Sequence, residues 1–521
     1  MDGDRAHVRL AELVAALSLG IDLGFGQPME HVLRQCLIAL RMAERMGLDE
    51  NQRADVYYTS LLIGVGCHTD AHELAKWFGD DIAAKADKFE YGLGLRGAMN
   101  GMRKLGSGHP PLHRFRVGLE FMISGRRQTD GMIAHHARMA RVLGEQIGLP
   151  ATVLDSLAAA YELWNGRGWP GDLKGDDIPI ASRLAQIAEF TEVAQRVGGV
   201  DAAKRVARKW AGKQFDPALS DLICAEGEMI FSGLDEIGTW DAVIDIEPAL
   251  AIVLTGERFD AALEAVANFI DLKSPYFLGH ARAVADLAAE AAKQIGMSTD
   301  EVRTLRRGAL VHNFGRLGVS NSIWDKPGPL GAGEWERVRM HPYLTERMLH
   351  QSESLGPLGA IAVQLRERLD GSGYPRGLAG AAISRSARIL AAADTYQAMR
   401  EPRPHRPPRD ADEAAAELRA EVKAGRLDAD AVEAVLGAAG HRTLRRREGP
   451  AGLTSREVDV LRLLALGCPN KEIALRLVIS PKTVGNHVEH IYTKIGASTR
   501  AAASLFAMQH GLLPEEEFVS V

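Results

Sequence analysis

Leu61-Leu62-Ile63-Gly64-Val65-Gly66 and Leu310-Val311-His312-Asn313-Phe314-Gly315 are the two stretches on which the fold turns, because each closes a segment of the same length. His31 and Gly47 precede the first as His280 and Gly296 precede the second, all at a constant offset of 249. A second block repeats at an offset of 205, pairing Trp164-Asn165-Gly166-Arg167-Gly168-Trp169-Pro170 with Leu369-Asp370-Gly371-Ser372-Gly373-Tyr374-Pro375, and His136 with His341. Self-similarity in fixed register is the mark of a duplicated structural unit. The repeat predicts two homologous helical domains, about residues 1–245 and 246–440. A basic linker at 441–450, ending in Gly449-Pro450, then leads to a small module at 451–521.

Ala, Leu, Glu and Arg dominate, apolar residues recur at helical spacing and alternating β-branched runs are few, so the fold class is all-α. At 521 residues the chain is too long for one hydrophobic core. Its 46% hydrophobic and 25% charged residues are those of a globular protein. A net charge of -6 gives no global attraction for a polyanion, so nucleic-acid contact would rest on a local basic surface. Cys36, Cys67, Cys224 and Cys468 lack CxxC or zinc-finger spacing, which argues against a disulfide framework or structural zinc and fits a reducing compartment. The apolar stretch Leu10 to Leu19 is interrupted by Glu12 and lacks a basic leader, and no long uninterrupted apolar run occurs elsewhere. A cytoplasmic protein with no membrane partner is expected.

In the last module Thr454 and Glu457 form a capping box, Val460, Leu461, Leu464 and Ala465 supply an apolar stripe, and Gly467 suits the left-handed residue that ends a helix. A second helix is predicted from near Asn470 to Val478-Ile479, with Ile473 and Leu477 inward. Ser480-Pro481 opens a third, whose buried stripe is Val484, Val488, Ile491 and Ile495. Two helices joined by a tight turn, the second with a polar outer face, fit a helix-turn-helix, with a helical hairpin that meets no nucleic acid as the alternative. The strings LTSREVDVLRLLALG, NKEIALRLVISPKTVGNHVEHIYTKI and TRAAA resemble the LuxR/GerE DNA-binding domain over its full length. That resemblance implies a four-helix domain, double-stranded DNA as partner and a homodimer formed through the last helix, about Thr499 to His510. Thr483 is then placed for a phosphate, Lys482, Lys494 and Arg500 for backbone attraction, and Asn486 for an adenine edge, with His487 beside it. Gly485 and Glu489 stand where many such domains carry lysines, so the target sequence does not carry over.

The stretch from His280 to Arg406 resembles the HD-GYP phosphohydrolases, whose members cleave cyclic di-GMP at a centre of two or three metals. The matching pieces are His280, LVHNFGRLG with His312-Asn313, DKPGPLGAGEW, His341-Pro342, RERLDGSGYPRGL and Asp394 in AAADTYQAM. Departures fall on the ligands. Asn313 replaces a bridging aspartate, Arg316 a lysine and Leu365-Arg366 a His-His pair, leaving His280, His312, His341 and Asp394 as metal ligands. A neutral amide cannot hold two cations together, so at most a single divalent metal is expected and no catalytic residue is assigned. In the first copy Ile63-Gly64 fills the dyad and Tyr161 a histidine position; only His31, His136 and Glu189 survive, and metal chemistry is not expected there. Trp164, Trp169 and Trp240 are read as core residues.

Together these features predict a sequence-specific transcription regulator whose HD-GYP-like domains sense a ligand, such as a nucleotide effector, or mediate dimerisation. The alternative is an active metal-dependent phosphohydrolase of the cyclic di-GMP type that also binds DNA.

Overall fold

The computed structural model describes residues 8–91, 105–106, 111–121, 126–441, 450–477, 479–497, 499–510 and 512. The fold is all-α, as the composition predicts: among the described residues it is built of helices with one two-residue strand pair, Val8–Arg9 against Val253–Leu254. Most of the predicted linker, residues 442–449, and residues 513–521 of the last module lie outside the described residues.

The chain folds as two compact units, residues 1–441 and 442–521. Both predicted helical regions therefore share the first unit, and the expected boundary near residue 245 does not part the structure into separate bodies. The strand pair crosses it, and helix Leu10–Gly24 packs against the second half, where Gly20 lies against Leu317 and Met348 so closely that a Cβ would collide with both. Asp81 adds a buried polar tie, accepting from Ser320 Oγ at 2.7 Å and Asn321 N at 2.8 Å and pairing with Lys273 Nζ at 3.3 Å.

Local chemistry recurs at the two offsets. Helix His31–Arg45 matches His280–Gln294, and each follows a residue with positive φ, Glu30 at 81° and Gly279 at 73°. Asp22 accepts from Val32 N at 3.0 Å as Asp271 accepts from Ala281 N at 2.8 Å. The next helices, Glu50–Leu62 and Thr299–Val311, both open on capping boxes, Asp49/Gln52 and Ser298/Glu301, that satisfy otherwise orphaned N–H groups. Gly66 and Gly315 then meet the carbonyl oxygens of His136 and His341 at distances no Cβ could tolerate, so this close approach requires glycine in both halves. Glu162 and Glu367 each gather the backbone N–H groups of the loop that follows them.

In the second unit the capping box at Thr454 opens helix Ser455–Ala465, and helices Asn470–Leu477, Pro481–Ile495 and Arg500–Gln509 follow. Leu453, Val460, Leu461, Leu464, Ile473, Val484, Ile491, Ala503 and Ala507 are its buried core. The predicted stripe is thus half core and half flank, since Val488 and Ile495 are only partly covered. Gly467, at φ 88°, ends the first helix as expected.

Candidate metal centre and nucleic-acid interface

His280, at the start of its helix, points Nε2 toward Asp394 Oδ1 at 3.2 Å and ties Nδ1 to Glu401 at 2.8 Å. His312 bonds the Ala309 carbonyl through Nδ1 at 2.5 Å and places Nε2 3.5 Å from the same Asp394 oxygen. His341 likewise fixes Nδ1 on the Val338 carbonyl at 2.8 Å, leaving its buried Nε2 without a hydrogen-bond partner. Imidazoles anchored through one nitrogen with the other turned inward are prepared to bind a metal. One ligand atom each from His280, His312 and Asp394 falls within 4.8 Å of the others, the only such metal-sized group among the described residues. His341, named with them from the sequence, lies outside that group.

The substituted positions decide how many ions can fit. Arg366 Nη2 lies 3.0 Å from the second carboxylate oxygen of Asp394, and both amide atoms of buried Asn313 lack a protein partner. Leu365 is wholly buried in the core and far from being a ligand. Arg316 is buried with its guanidinium carbon 4.1 Å from the Phe277 ring centroid, and burial lowers its pKa to about 10. Burial opposes the charge on Asp394, yet Arg366, His280 and His312 hold its carboxyl well below the usual range. Burial and the two guanidinium groups together push His341 well below the ordinary histidine value. The donors fit one divalent cation on His280, His312 and Asp394 Oδ1. They do not fit a bridged pair, because the Asn313 amide stands where the resemblance puts the bridging carboxylate, and the Arg366 guanidinium lies 3.0 Å from the remaining Asp394 oxygen. Glu401, which fixes the His280 tautomer, was missed in the sequence, where nothing marks it as a neighbour of His280.

The corresponding place in the first half has been rebuilt. His31 pairs with Glu192 at 2.5 Å, while His136 Nε2 pairs with Asp70 at 2.7 Å. Tyr161, where the second half has Arg366, meets Cys67 Sγ at 2.8 Å. Trp169, read as core, lines a cavity of about 160 Å³ there; Trp240 is buried as expected, and Trp164 lies beneath the Arg183 guanidinium.

In the second unit Lys482, Thr483 and Asn486 are exposed on helix Pro481–Ile495, with His487 half-buried beside them. Thr483 closes the helix start, its N–H donating to Ser480 Oγ at 3.0 Å. Lys494 and Arg500 are engaged within the domain. Lys494 Nζ donates to Glu457 at 2.8 Å and to the Gly452 carbonyl at 3.1 Å. Arg500 donates to the Leu464 carbonyl at 3.1 Å and also to that of Cys468, closing the end of the first helix.

Residues 264–431 match the family model "HD domain", and residues 451–507 match "Bacterial regulatory proteins, luxR family". A Vibrio cholerae protein described as 3'3'-cGAMP-specific phosphodiesterase 3 is 31% identical over 402 residues, 76% of this chain and 87% of its own length. The Xanthomonas campestris cyclic di-GMP phosphodiesterase response regulator RpfG is 37% identical over 188 residues, 34% of this chain and 48% of its own. The crystal structure of a cyclic GMP-AMP specific phosphodiesterase of V. cholerae (V-cGAP3) superposes with a TM-score of 0.59 and 26% identity, covering 83% of this chain and 98% of that one. Because a relative matches at this identity over most of both chains, and the two family models fall on the two compact units, the chain belongs to the HD-GYP family of HD-domain proteins and ends in a luxR-family regulatory domain.

Proposed function

We propose that this protein is a sequence-specific DNA-binding transcription regulator whose HD region senses a phosphorylated nucleotide, and does not turn it over. The observation that carries the reading is the Arg366–Asp394 contact at 3.0 Å, beside an amide at Asn313. Two-metal hydrolysis needs a shared hydroxide between cations held by a bridging carboxylate, and this site supplies neither the carboxylate nor the second set of imidazoles. A single ion on His280, His312 and Asp394 would act as a Lewis acid toward one phosphate oxygen when bound. The chain's own residues meanwhile present positive charge in Arg316 and Arg366 and a two-sided amide in Asn313, all suited to hold a phosphate.

DNA contact is assigned to Lys482 and Thr483 on phosphates and to Asn486 and His487 on base edges, with Lys494 and Arg500 supporting the domain from within. Leu505 and Met508 leave large apolar side chains 50% and 56% exposed on the last helix, which supports pairing of two copies there. The two halves of the first unit are read as duplicated HD-like domains, on the matched caps, glycines and glutamate-bound loops described above.

The experiment is a fluorescence titration of full-length protein on a promoter library, repeated with 3'3'-cGAMP and with cyclic di-GMP, while chromatography follows linear product. Expected are salt-dependent duplex binding, a shift in affinity on adding one dinucleotide, and no product. Product formation that disappears in Asp394→Ala would establish instead the second reading, an active phosphohydrolase that also binds DNA, which the three anchored imidazoles and the named activity of the relatives favour.

A further inference from the structure

Cys67 occupies in the first half the position that Arg316 holds in the second, just as His136 answers to His341 and Tyr161 to Arg366. Together these replacements form a continuous chain. Asp70 Oδ2 is 2.7 Å from His136 Nε2, His136 Nδ1 is 3.6 Å from Cys67 Sγ, and the Tyr161 hydroxyl is 2.8 Å from the same sulfur. The sulfur lines the cavity of about 160 Å³, whose wall includes Phe25, Ile63, Leu74, Ala160, Trp169 and Phe190. We propose that Cys67 is a nucleophilic thiol that captures small apolar electrophiles of the α,β-unsaturated carbonyl class within this cavity.

Each residue has a part in that chemistry. Asp70 accepts from Nε2–H of His136, so the lone pair on Nδ1 faces the thiol and can take its proton. The thiolate is the reactive form of cysteine, and a buried imidazolium fixed by a carboxylate keeps it in that form. Although burial opposes the charge, Cys67 and Asp70 raise the pKa of His136 to about 10. In the addition the sulfur lone pair forms a bond to the β carbon, the π electrons move toward the carbonyl oxygen, and the proton held by His136 returns to the α carbon. The product is a thioether containing every atom of both reactants, with no oxidant, reductant or water consumed. A compact unsaturated carbonyl compound suits a wall whose aromatic and aliphatic part meets its carbon skeleton while Lys85, Gln186, Glu189 and Gln214 make the remainder polar.

The other cysteines serve as internal references. Cys36 is wholly buried, with burial pushing its pKa up and its thiol on the Tyr57 carbonyl, whereas Cys224 is half-buried and contacts the Lys204 carbonyl. Full-length protein would be treated with limiting methyl vinyl ketone at pH 7.5, quenched, and mapped by peptide mass spectrometry. An unassisted thiol is only a few per cent ionised near neutrality, so Cys67 should be modified about 10-fold faster than Cys224. His136→Gln and Asp70→Asn should each slow Cys67 about 10-fold and leave Cys224 unchanged, with an unlabelled Cys36 reporting that the variant is folded. A wild-type Cys67 no faster than Cys224 overturns the proposal. So does a Cys67 rate unchanged in a variant whose Cys36 stays protected; should neither variant fold, the wild-type ratio alone decides.

Discussion

Arg366 Nη2 stands 3.0 Å from Oδ2 of Asp394, so the carboxylate of the candidate metal site faces a protein cation on the oxygen turned away from His280 and His312. Since the Asp394 side chain is 1% exposed, removing Arg366 leaves a buried carboxylate held by His280 and His312 alone, which lowers stability. Arg366→Ala should therefore melt well below wild type. Manganese or zinc should return part of that loss, and more than it adds to wild type, because the freed oxygen offers a cation a second attachment. Thermal denaturation with and without metal checks this, and equal melting temperatures for the two proteins would contradict it.

Asp81 is a buried charged tie between the two halves, and its pH dependence has a definite sign. Burial alone would raise its pKa, but Lys273, Lys85 and the donors from Ser320 and Asn321 hold it below the usual carboxylate value. A carboxylate whose folded pKa is depressed contributes stability fully above its unfolded pKa of about 4, and loses it as pH falls through the folded value. Wild type should lose stability steeply below about pH 4. Asp81→Asn should be less stable at neutral pH, because Lys273, 1% exposed, is left buried without its partner, and should show a shallower acid slope. Urea denaturation at pH 3 to 7 measures both.

How much of this was legible in the sequence follows from the range of the interactions. Caps, helix ends and the two repeat offsets are local or periodic, and Thr454/Glu457 and the Gly66/Gly315 pair fell where pattern placed them. His280, His312 and Asp394 were grouped through resemblance, and the structure gathers them. What escaped was contact across long separations. Glu401 reaches His280 over 121 residues, and Val8 pairs with Leu254 across the predicted domain boundary. The first half's Cys67–His136–Asp70 chain escaped for another reason: erosion of one ligand set reads in sequence only as loss, and the replacement chemistry becomes visible when the side chains are placed together.

Asn486 is exposed on the outer face of helix Pro481–Ile495, free of the contacts that hold Val484 and Ile491 inward. Its amide can pair with an adenine edge in two hydrogen bonds, which is worth about 1–3 kcal/mol of discrimination. Asn486→Ala should weaken binding to the preferred site by that amount and barely change nonspecific binding. Competition titrations with specific and random duplexes measure the difference, and an equal loss on both would remove Asn486 from base readout.

Lys482, Lys494 and Arg500 carry the same charge but should respond differently to alanine. Lys482 is exposed near the start of the recognition helix, so Lys482→Ala should leave the melting temperature unchanged, weaken all duplexes alike and reduce the salt slope by about one unit. Lys494 instead holds Glu457, the residue that closes the capping box of helix Ser455–Ala465, and the Gly452 carbonyl. Arg500 closes the other end of that helix through the Leu464 and Cys468 carbonyls. Each such hydrogen-bonded group contributes about 1 kcal/mol, and the second unit has a small core to spare. Lys494→Ala and Arg500→Ala should therefore lower the unfolding temperature of the second unit while the salt slope on DNA, measured below that temperature, stays at the wild-type value. A reduced salt slope in either variant, with stability unchanged, would return that residue to the DNA-contacting set.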